Sequence, residues 1–265
     1  MRPKPACFGT QYASAFQELS LAAAYQYRPP YPPSVFEALD RLITDTPRYL
    51  LDVGCGTGAL ARYLTTSAEH IDAVDISPAM IAHGQHLPNG DHPHIDWIVG
   101  PIEQVQLTPR YALITAGDSL HWMEWDTVLP RFHALLSRRG VLAIVELEQL
   151  AVPWSDPLGA VIQQYSTNRD YQPIDLVTEL DQRGLFVVQG RQQTPPFPFR
   201  QSIDAYIESF HGRASFSRER MVPSDVEAFD HTIRALVVPF APDVVELQLV
   251  ATITWGKPMP STTAT

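Results

Sequence analysis

The chain has 265 residues, 45% hydrophobic and 18% charged, with 24 prolines and two cysteines. That is an ordinary globular composition with enough apolar content for a real core, and no apolar run reaches the ~18–20 residues of a membrane span. The formal net charge of −10 leaves no basic face for a nucleic acid, because Arg138-Arg139 and Arg218/Arg220 read as isolated surface pairs. The acidic balance suits a small substrate, uncharged or locally paired. MRPKPACFGTQY has no apolar stretch of a signal peptide, and Cys7 and Cys55 cannot build a disulfide framework. A reducing cytoplasm is the expected compartment.

SAFQELSLAAAYQYRPPYPP reads as a helix followed by a proline-stiffened turn, and PPSVFEALDRLIT as an amphipathic helix through Val35, Phe36, Leu39, Leu42 and Ile43. RYLLDV is a nearly continuous apolar run, as in a parallel strand covered on both faces. After three glycines, ALARYLTT carries a helical stripe of Leu60, Ala61 and Leu64. IDAVDI is the next strand, Ser77-Pro78 an N-cap and first helical position, and AMIAHGQH the helix that follows. IDWIVG and ALITAG are two further strands. DTVLPRFHALLSRRG reads as a helix with Val128, Phe132, Leu135 and Leu136 on one face, closing on Gly140, before the strand VLAIVEL. Repeated β-α-β units predict an α/β fold with a doubly wound, Rossmann-like parallel sheet.

Beyond this core, residues 155–183 read as two helices, LFVVQGRQQ as a strand, and SIDAYIESFHG and VPSDVEAFDHTIRALVV as helices. TPPFPF reads as a fixed loop. VELQLVATITW alternates Val245, Leu247, Leu249, Ala251, Ile253 and Trp255 against Glu246, Gln248, Thr252 and Thr254, which predicts an antiparallel strand with one wetter face. The expected division is a helical lid segment at 1–46, an α/β core at 47–150, a helical cap with the last strands of the same sheet at 151–258, and a frayed tail at 259–265.

In an open α/β sheet, ligands bind outside the carboxyl ends of the strands, and the polar features fall there. Gly54, Gly56 and Gly58 follow the first strand, so a ligand can approach the backbone with no Cβ in the way. Asp75 ends the second strand, placed to accept hydrogen bonds from ribose hydroxyls. LLDVGCGTGA fits the dinucleotide fingerprint through Gly54, Gly56 and Ala59, and fits equally the acid-x-G-x-G-x-G loop for S-adenosylmethionine. Asp52 separates the two, since an acid under the loop repels a pyrophosphate and suits an ammonium. Its other reading is a cap on the loop's own N–H groups.

LLDVGCGTGALARYL, AVDISPAMI, GPIE, ALITAGDSLHWMEWD and RRGVLAIVE, in that order, resemble the motifs of class I S-adenosylmethionine-dependent methyltransferases. YQYRPPYP and HW resemble the branch that includes trans-aconitate methyltransferases. The resemblance implies a seven-stranded sheet with an antiparallel last strand and S-adenosylmethionine as cofactor. It implies that Asp52 and the Gly54-Cys55-Gly56-Thr57-Gly58 loop hold the donor's amino-acid and ribose part, and that Asp75 takes the ribose hydroxyls. Ile76 and Met80 flank the adenine, Ile102 and Glu103 lie beside its edge, Ala116 and Gly117 line the methyl side, and Tyr25 and Arg28 close over the donor. Pro101 stands where many relatives have an acid. Ala112 and Arg138-Arg139-Gly140 also depart from the pattern.

The implied reaction is O- or N-methylation of a small molecule, with a carboxylate acceptor needing no base. Asp118 and His121 are the candidate bases. Trp122 is an expected wall, and Tyr206, Phe210, His211, Arg213 and Phe216 are expected to form an aromatic acceptor pocket with one cation. A nicotinamide-dependent oxidoreductase and a donor-binding protein without transfer activity are the competing readings. Neither a nucleic acid nor a membrane is an expected partner. His83, His86, His92 and His94 lack metal-ligand spacing, and no metal is expected.

Overall fold

A computed structural model describes residues 3–108 and 110–261. Met1, Arg2, Pro109 and the last four residues of the expected tail lie outside the described residues. Two short helices, α1 (Thr10–Ala13) and α2 (Leu19–Ala24), alternate with 3-10 turns before α3 (Pro33–Leu42). The core then runs β1 (Tyr49–Val53), β2 (His70–Asp75), α4 (Pro78–Gln85), β3 (Ile95–Val99), β4 (Tyr111–Gly117), α5 (Trp125–Leu135) and β5 (Leu136–Gln149). It continues with α6 (Ser155–Tyr165), α7 (Leu176–Gln182), β6 (Phe186–Gln193), β7 (Phe197–Ser202), α8 (Ile203–His211), α9 (Pro223–Val237) and β8 (Val244–Pro258).

The sheet order is β3-β2-β1-β4-β5-β8-β6, with β7 also pairing β8. β1 to β5 are mutually parallel, and β8 runs antiparallel between β5 and β6. Side chains alternate between two cores, as strands covered on both faces require. Leu50, Leu113, Ala143 and Ile253 pack with α3 on one face. Leu51, Ile114, Leu142 and Ile144 pack with Phe132 of α5 and Leu180 of α7 on the other. Strand order reverses between β1 and β4, so the crevice outside their carboxyl ends is the topological switch point.

The edge of the sheet carries the eighth strand. β6 and β7 lie along the same side of β8, against its second and first halves. Thr194 bonds Ala251 in both directions at 2.9 Å, and Pro195 and Pro196, which have no N–H, break the ladder between them. The expected loop TPPFPF is therefore partly strand, with Pro198 on an outer edge that tolerates it.

Three local expectations change. The helix read into ALARYLTT shrinks to one 3-10 turn, Ala61–Tyr63. Its stripe of Leu60, Ala61 and Leu64 is buried as the pattern requires, but Arg62 reaches back to the Thr57 carbonyl (2.9 Å), and the β-branched pair Thr65-Thr66 favours no continuation. The helix before β5 ends at Leu135 rather than Gly140. Leu136 pairs with Tyr111 in the sheet, and Asp45 takes the Ser137 hydroxyl (2.6 Å) and the Arg139 N–H (2.8 Å). In β8 only Glu246 and Gln248 lie on a wet face. Thr252 and Thr254 are buried where the strand passes between β5 and β6, and Met259, in the expected tail, still donates to the Leu185 carbonyl. Among the described residues, no helix is long and apolar enough to cross a membrane.

Candidate functional site

Two cavities open at the switch point. The first, about 430 Å³, is lined by Gly54, Gly56, Asp75, Ile76, Met80, Pro101, Ile102, Glu103, Gly117, Asp118 and Trp122. The second, about 530 Å³, is lined by Arg28, Asp52, Gly54, Cys55, Thr57, Gly117 and Asp118. They share Tyr25, Gly54, Gly117 and Asp118, so the Tyr25 ring stands as a partition between them.

The glycine loop is left-handed at Gly54 (φ 62°), Gly56 (φ 55°) and Gly58 (φ 74°). The three do different work. A Cβ on Gly56 would point at the Tyr25 ring 3.6 Å away, on the open side of the loop, so this glycine leaves room for a ligand. A Cβ on Gly58 would meet Trp97 at 2.5 Å, and Gly58 lines neither cavity. Gly58 is thus a packing glycine and not part of the ligand approach.

Asp75 is buried at the end of β2 and faces the first cavity, with its oxygens accepting from the Gly56 N–H and the Ser77 N–H, both at 2.8 Å. Desolvation raises its pKa against those two bonds. Asp52 lies under the loop. It accepts from the Thr115 hydroxyl (2.8 Å), its same-face neighbour across β1 and β4, and from the Ala61 N–H (3.2 Å). Neither partner is an N–H of the Gly54–Gly58 loop: Asp52 braces the turn after the loop against β4, and its carboxylate also borders the second cavity. Desolvation pushes its pKa to about 7 despite both bonds.

Asp118 follows β4 in a left-handed conformation (φ 48°), strained for a residue with a side chain. Arg28 approaches its carboxylate to 3.8 Å, and the Tyr31 hydroxyl donates to the same carboxylate at 3.4 Å. The Tyr31 hydroxyl also fills the space where a Cβ on Gly117 would lie. Desolvation raises the Asp118 pKa, and Arg28 counters it. Cys55 is buried with its thiol pushed well up by desolvation, so it is inert space-filling in the loop.

Several expected site residues lie elsewhere. Ala116 points into the sheet core and lines neither cavity. His121 packs against Phe8 (5.1 Å) and Trp122 (4.7 Å) and reaches neither cavity, while desolvation, then Arg28 and Lys4, hold its pKa down to about 3. Trp122 does form a wall, but of the first cavity. Tyr206, Phe210, His211 and Phe216 do not form an open pocket: all four are buried, and with Phe229, Ile233 and Leu247 they make the closed interior under α8 and α9. His211 is bonded to the Phe216 carbonyl and to Asp230, each at 2.7 Å. Arg213 lies outside that core, exposed, with its guanidinium 4.7 Å over the Phe210 ring.

The sequence reading missed the roof of the first cavity: Thr10, Ala13, Ser14, Phe16 and Gln17. It also gave Tyr31 no role. The RPPYPP turn was the available signal there, because two proline pairs hold the tyrosine between them. The roof offered only small and polar residues. Three of the surface arginines pair with acids of the chain: Arg139 meets Asp45 (2.7 Å), Arg218 meets Glu208 (2.5 Å) and Arg220 meets Glu18 (2.6 Å). The histidine-rich stretch brings His92 and His94 into ring contact (4.7 Å). Among the described residues, the grouping with metal-type donors is instead His70, Asp72 and Asp96, at the far end of β2, where His70 bonds Asp72 at 3.0 Å.

Residues 50–140 match the family described as a methyltransferase domain. The chain is 31% identical over 139 residues to trans-aconitate 2-methyltransferase of Escherichia coli O1:K1 / APEC, covering 51% of this chain and 52% of that protein. It is 35% identical over 88 residues to malonyl-[acyl-carrier protein] O-methyltransferase of Anoxybacillus flavithermus, covering 32% of this chain and 33% of that one. The chain thus spans from a third to about half of the length of these curated relatives. Among solved structures, a putative type II methyltransferase from Anaeromyxobacter dehalogenans superposes with a TM-score of 0.59 at 25% identity, covering 88% of this chain and 99% of that one.

Proposed function

We propose, from the methyltransferase domain that residues 50–140 carry, that the chain transfers a methyl group from S-adenosylmethionine to a small anionic molecule. The observation that carries this reading is the pairing of the open Gly56 with the Asp75 carboxylate on one cavity at the switch point. The cradle fits the donor. Asp75 has acceptor capacity left for ribose hydroxyls, Ile76, Met80 and Ile102 flank a flat apolar slot for adenine, and Glu103 or the backbone reads its edge beside Pro101. Beyond Tyr25, Asp52 and Arg28 suit the ammonium and carboxylate of the amino-acid end. The segment before residue 46 is the lid, and the 151–258 segment the cap.

Bound S-adenosylmethionine supplies an electrophilic methyl group on sulfur, open to in-line displacement. The protein's part is alignment and exclusion of water. Tyr25, Gly117 and Asp118, shared by both cavities, mark where the methyl passes from donor to acceptor. Arg213 lines neither cavity, so it is the anchor for an acceptor that extends beyond them, over the Phe210 ring. Among the described residues no carboxylate lies within ion-pair distance of its guanidinium, which leaves that charge for an anionic acceptor. His121, neutral and walled off, is no competent base, so an acceptor already ionised at neutral pH fits best: a carboxylate. Asp52 beneath the loop weighs against the pyrophosphate of a nicotinamide cofactor.

The test is a pair of titrations and a transfer assay. S-adenosylhomocysteine is expected to bind and NADH not to, and tritium from methyl-labelled S-adenosylmethionine is expected in a base-labile ester when a panel of small carboxylic acids is supplied. Binding of NADH without S-adenosylhomocysteine overturns the reading.

A further inference from the structure

Several polar side chains tie the roof of the first cavity to distant segments, among them Tyr12 to Asp170 at 2.9 Å, and Arg220 makes the most contacts along it. Residues Thr10, Ala13, Ser14, Phe16 and Gln17 cover the cavity. Arg220, in the connection between α8 and α9, reaches three points along that roof. Its Nε donates to Glu18 (2.6 Å), one terminal nitrogen donates to the Ser14 hydroxyl (2.8 Å), and the other donates to the Gln11 carbonyl. The Ser217 hydroxyl donates to the second oxygen of Glu18, and Glu219 accepts the Ser20 N–H at 3.0 Å. The ion pair is sheltered, with side-chain exposures of 21% and 17%, so it escapes most of the solvent screening that makes exposed pairs weak. The fork of a guanidinium satisfied on all three nitrogens is a rigid clamp.

The clamp spans two parts of the site. Arg213, the cation over the Phe210 ring, lies seven residues upstream in the same connection. The far end of the roof is tied separately, by Lys4 donating to the carbonyls of Trp122 and Met123 at 3.2 Å each. Between these anchors the roof offers short helical turns and few large apolar side chains. Phe16 packs against Trp122 at 5.6 Å, and the fully buried Ala15 joins a small cluster with Leu21, Ala22, Met80 and Ala214. The other roof residues, Thr10, Ala13, Ser14 and Gln17, are small or polar, so polar contacts set much of what holds this cover closed.

We propose that Arg220 is a positioning residue for methyl transfer: by gripping Gln11, Ser14 and Glu18 it keeps the roof on the donor cavity and sets the rate at which donor and spent donor exchange. This rests on the reading of the first cavity as the donor site. The clamp leaves the reacting atoms untouched. It acts by holding Phe16 and its neighbours over the bound donor, and it links that closure to the segment that carries Arg213.

The experiment measures dissociation of S-adenosylhomocysteine from wild type, Arg220→Gln, Glu18→Gln and the double variant by stopped-flow tryptophan emission, together with KM for donor and acceptor. Each single variant is expected to release S-adenosylhomocysteine about tenfold faster or more, as loss of a charge-assisted contact dictates. The donor KM rises with it and the acceptor KM stays within about twofold, and the double variant is no worse than either single one. Arg220→Lys, which keeps the charge and loses the fork, is expected to give an intermediate rate and carries the test if the Gln variant does not fold. A variant with the wild-type unfolding midpoint and a dissociation rate within twofold of wild type overturns the proposal. If wild type itself fails to bind S-adenosylhomocysteine, the donor reading falls, a different result from a clamp that does nothing.

Discussion

The first cavity and the interior under α8 and α9 are both rich in aromatic and polar side chains, yet one is open and the other closed. Trp122, Phe16 and Tyr25 border space; Tyr206, Phe210 and Phe216 fill it. The difference lies in what stands behind each set. The cavity lies outside the ends of β1 and β4, at the order reversal, where from the sheet only strand-end residues such as Asp75 and Gly117 border it. The cap aromatics sit on α8 and its following turn, facing α9 and the first half of β8, whose Val245, Leu247 and Leu249 close the interior. An aromatic cluster is a pocket only where the backbone leaves a gap for it.

The sharpest way to break this contrast is Phe210→Ala. The ring is in edge contact with Tyr206, Phe216 and Phe229, so its loss opens a cavity in a closed core. Unfolding free energy is expected to fall by about 3–5 kcal/mol, with the affinity of the remaining folded protein for S-adenosylhomocysteine unchanged. A folded variant of wild-type stability that loses acceptor turnover would instead make Phe210 a pocket residue.

Asp75→Ala should behave oppositely. Affinity for S-adenosylhomocysteine is expected to drop roughly 100-fold, since charged hydrogen bonds to the ribose are lost. Stability falls by only about 1–3 kcal/mol, because the Gly56 and Ser77 N–H groups lose their acceptor. Calorimetric titration and thermal melts of the same two variants separate the regions.

The donor half was legible because its constraints are local in the chain. A strand, three glycines and an acid at the next strand end need no knowledge of remote segments, and Asp75, Ile76, Met80, Ile102 and Glu103 all face the first cavity. Asp52 was visible, but its partner Thr115 was not, because only the β1–β4 register brings the two side by side. The acceptor half was not legible. Helical periodicity says which face of α8 is apolar, not whether that face meets a neighbour or a ligand. Pairing of α8 with α9 and β8 decided it, across 19 residues of sequence from His211 to Asp230. The roof was hidden for a related reason: its hold comes from Arg220, which carries no local signal for Glu18.

Asp52 couples the second cavity to pH. Its folded pKa of about 7 lies above the ordinary carboxylate value because burial disfavours the charged form. A raised acid contributes most to folding below its unfolded pKa, and that contribution is lost as pH rises from about 4 through about 7. An ammonium in the second cavity reverses the preference by favouring the ionised carboxylate. Donor binding is therefore expected to expel a proton below about pH 7, with affinity for S-adenosylhomocysteine weakening by up to about tenfold per pH unit on acidification. Asp52→Asn is expected to flatten that dependence and to remove the matching fall in apo stability. Titrations between pH 5.5 and 8 check both, and an unchanged slope in the variant would move the proton to another group.

The smallest expected effect is at His121, the residue whose chemistry would seem most useful. It sits at the edge of the first cavity's wall, between Phe8 and Trp122, where its ring does what any flat side chain does. A proton acceptor with a pKa near 3 gains nothing from being neutral, since it holds a transferred proton too weakly to assist the transition state. His121→Phe is expected to change kcat by less than about threefold and to leave the pH profile of kcat/KM in place, whereas a working general base is worth about 100- to 10,000-fold. A loss in that larger range would return His121 to the reaction and, with it, phenols and amines to the list of acceptors. A small loss leaves the acceptor to bring its own negative charge, and leaves the cation over Phe210 to hold it.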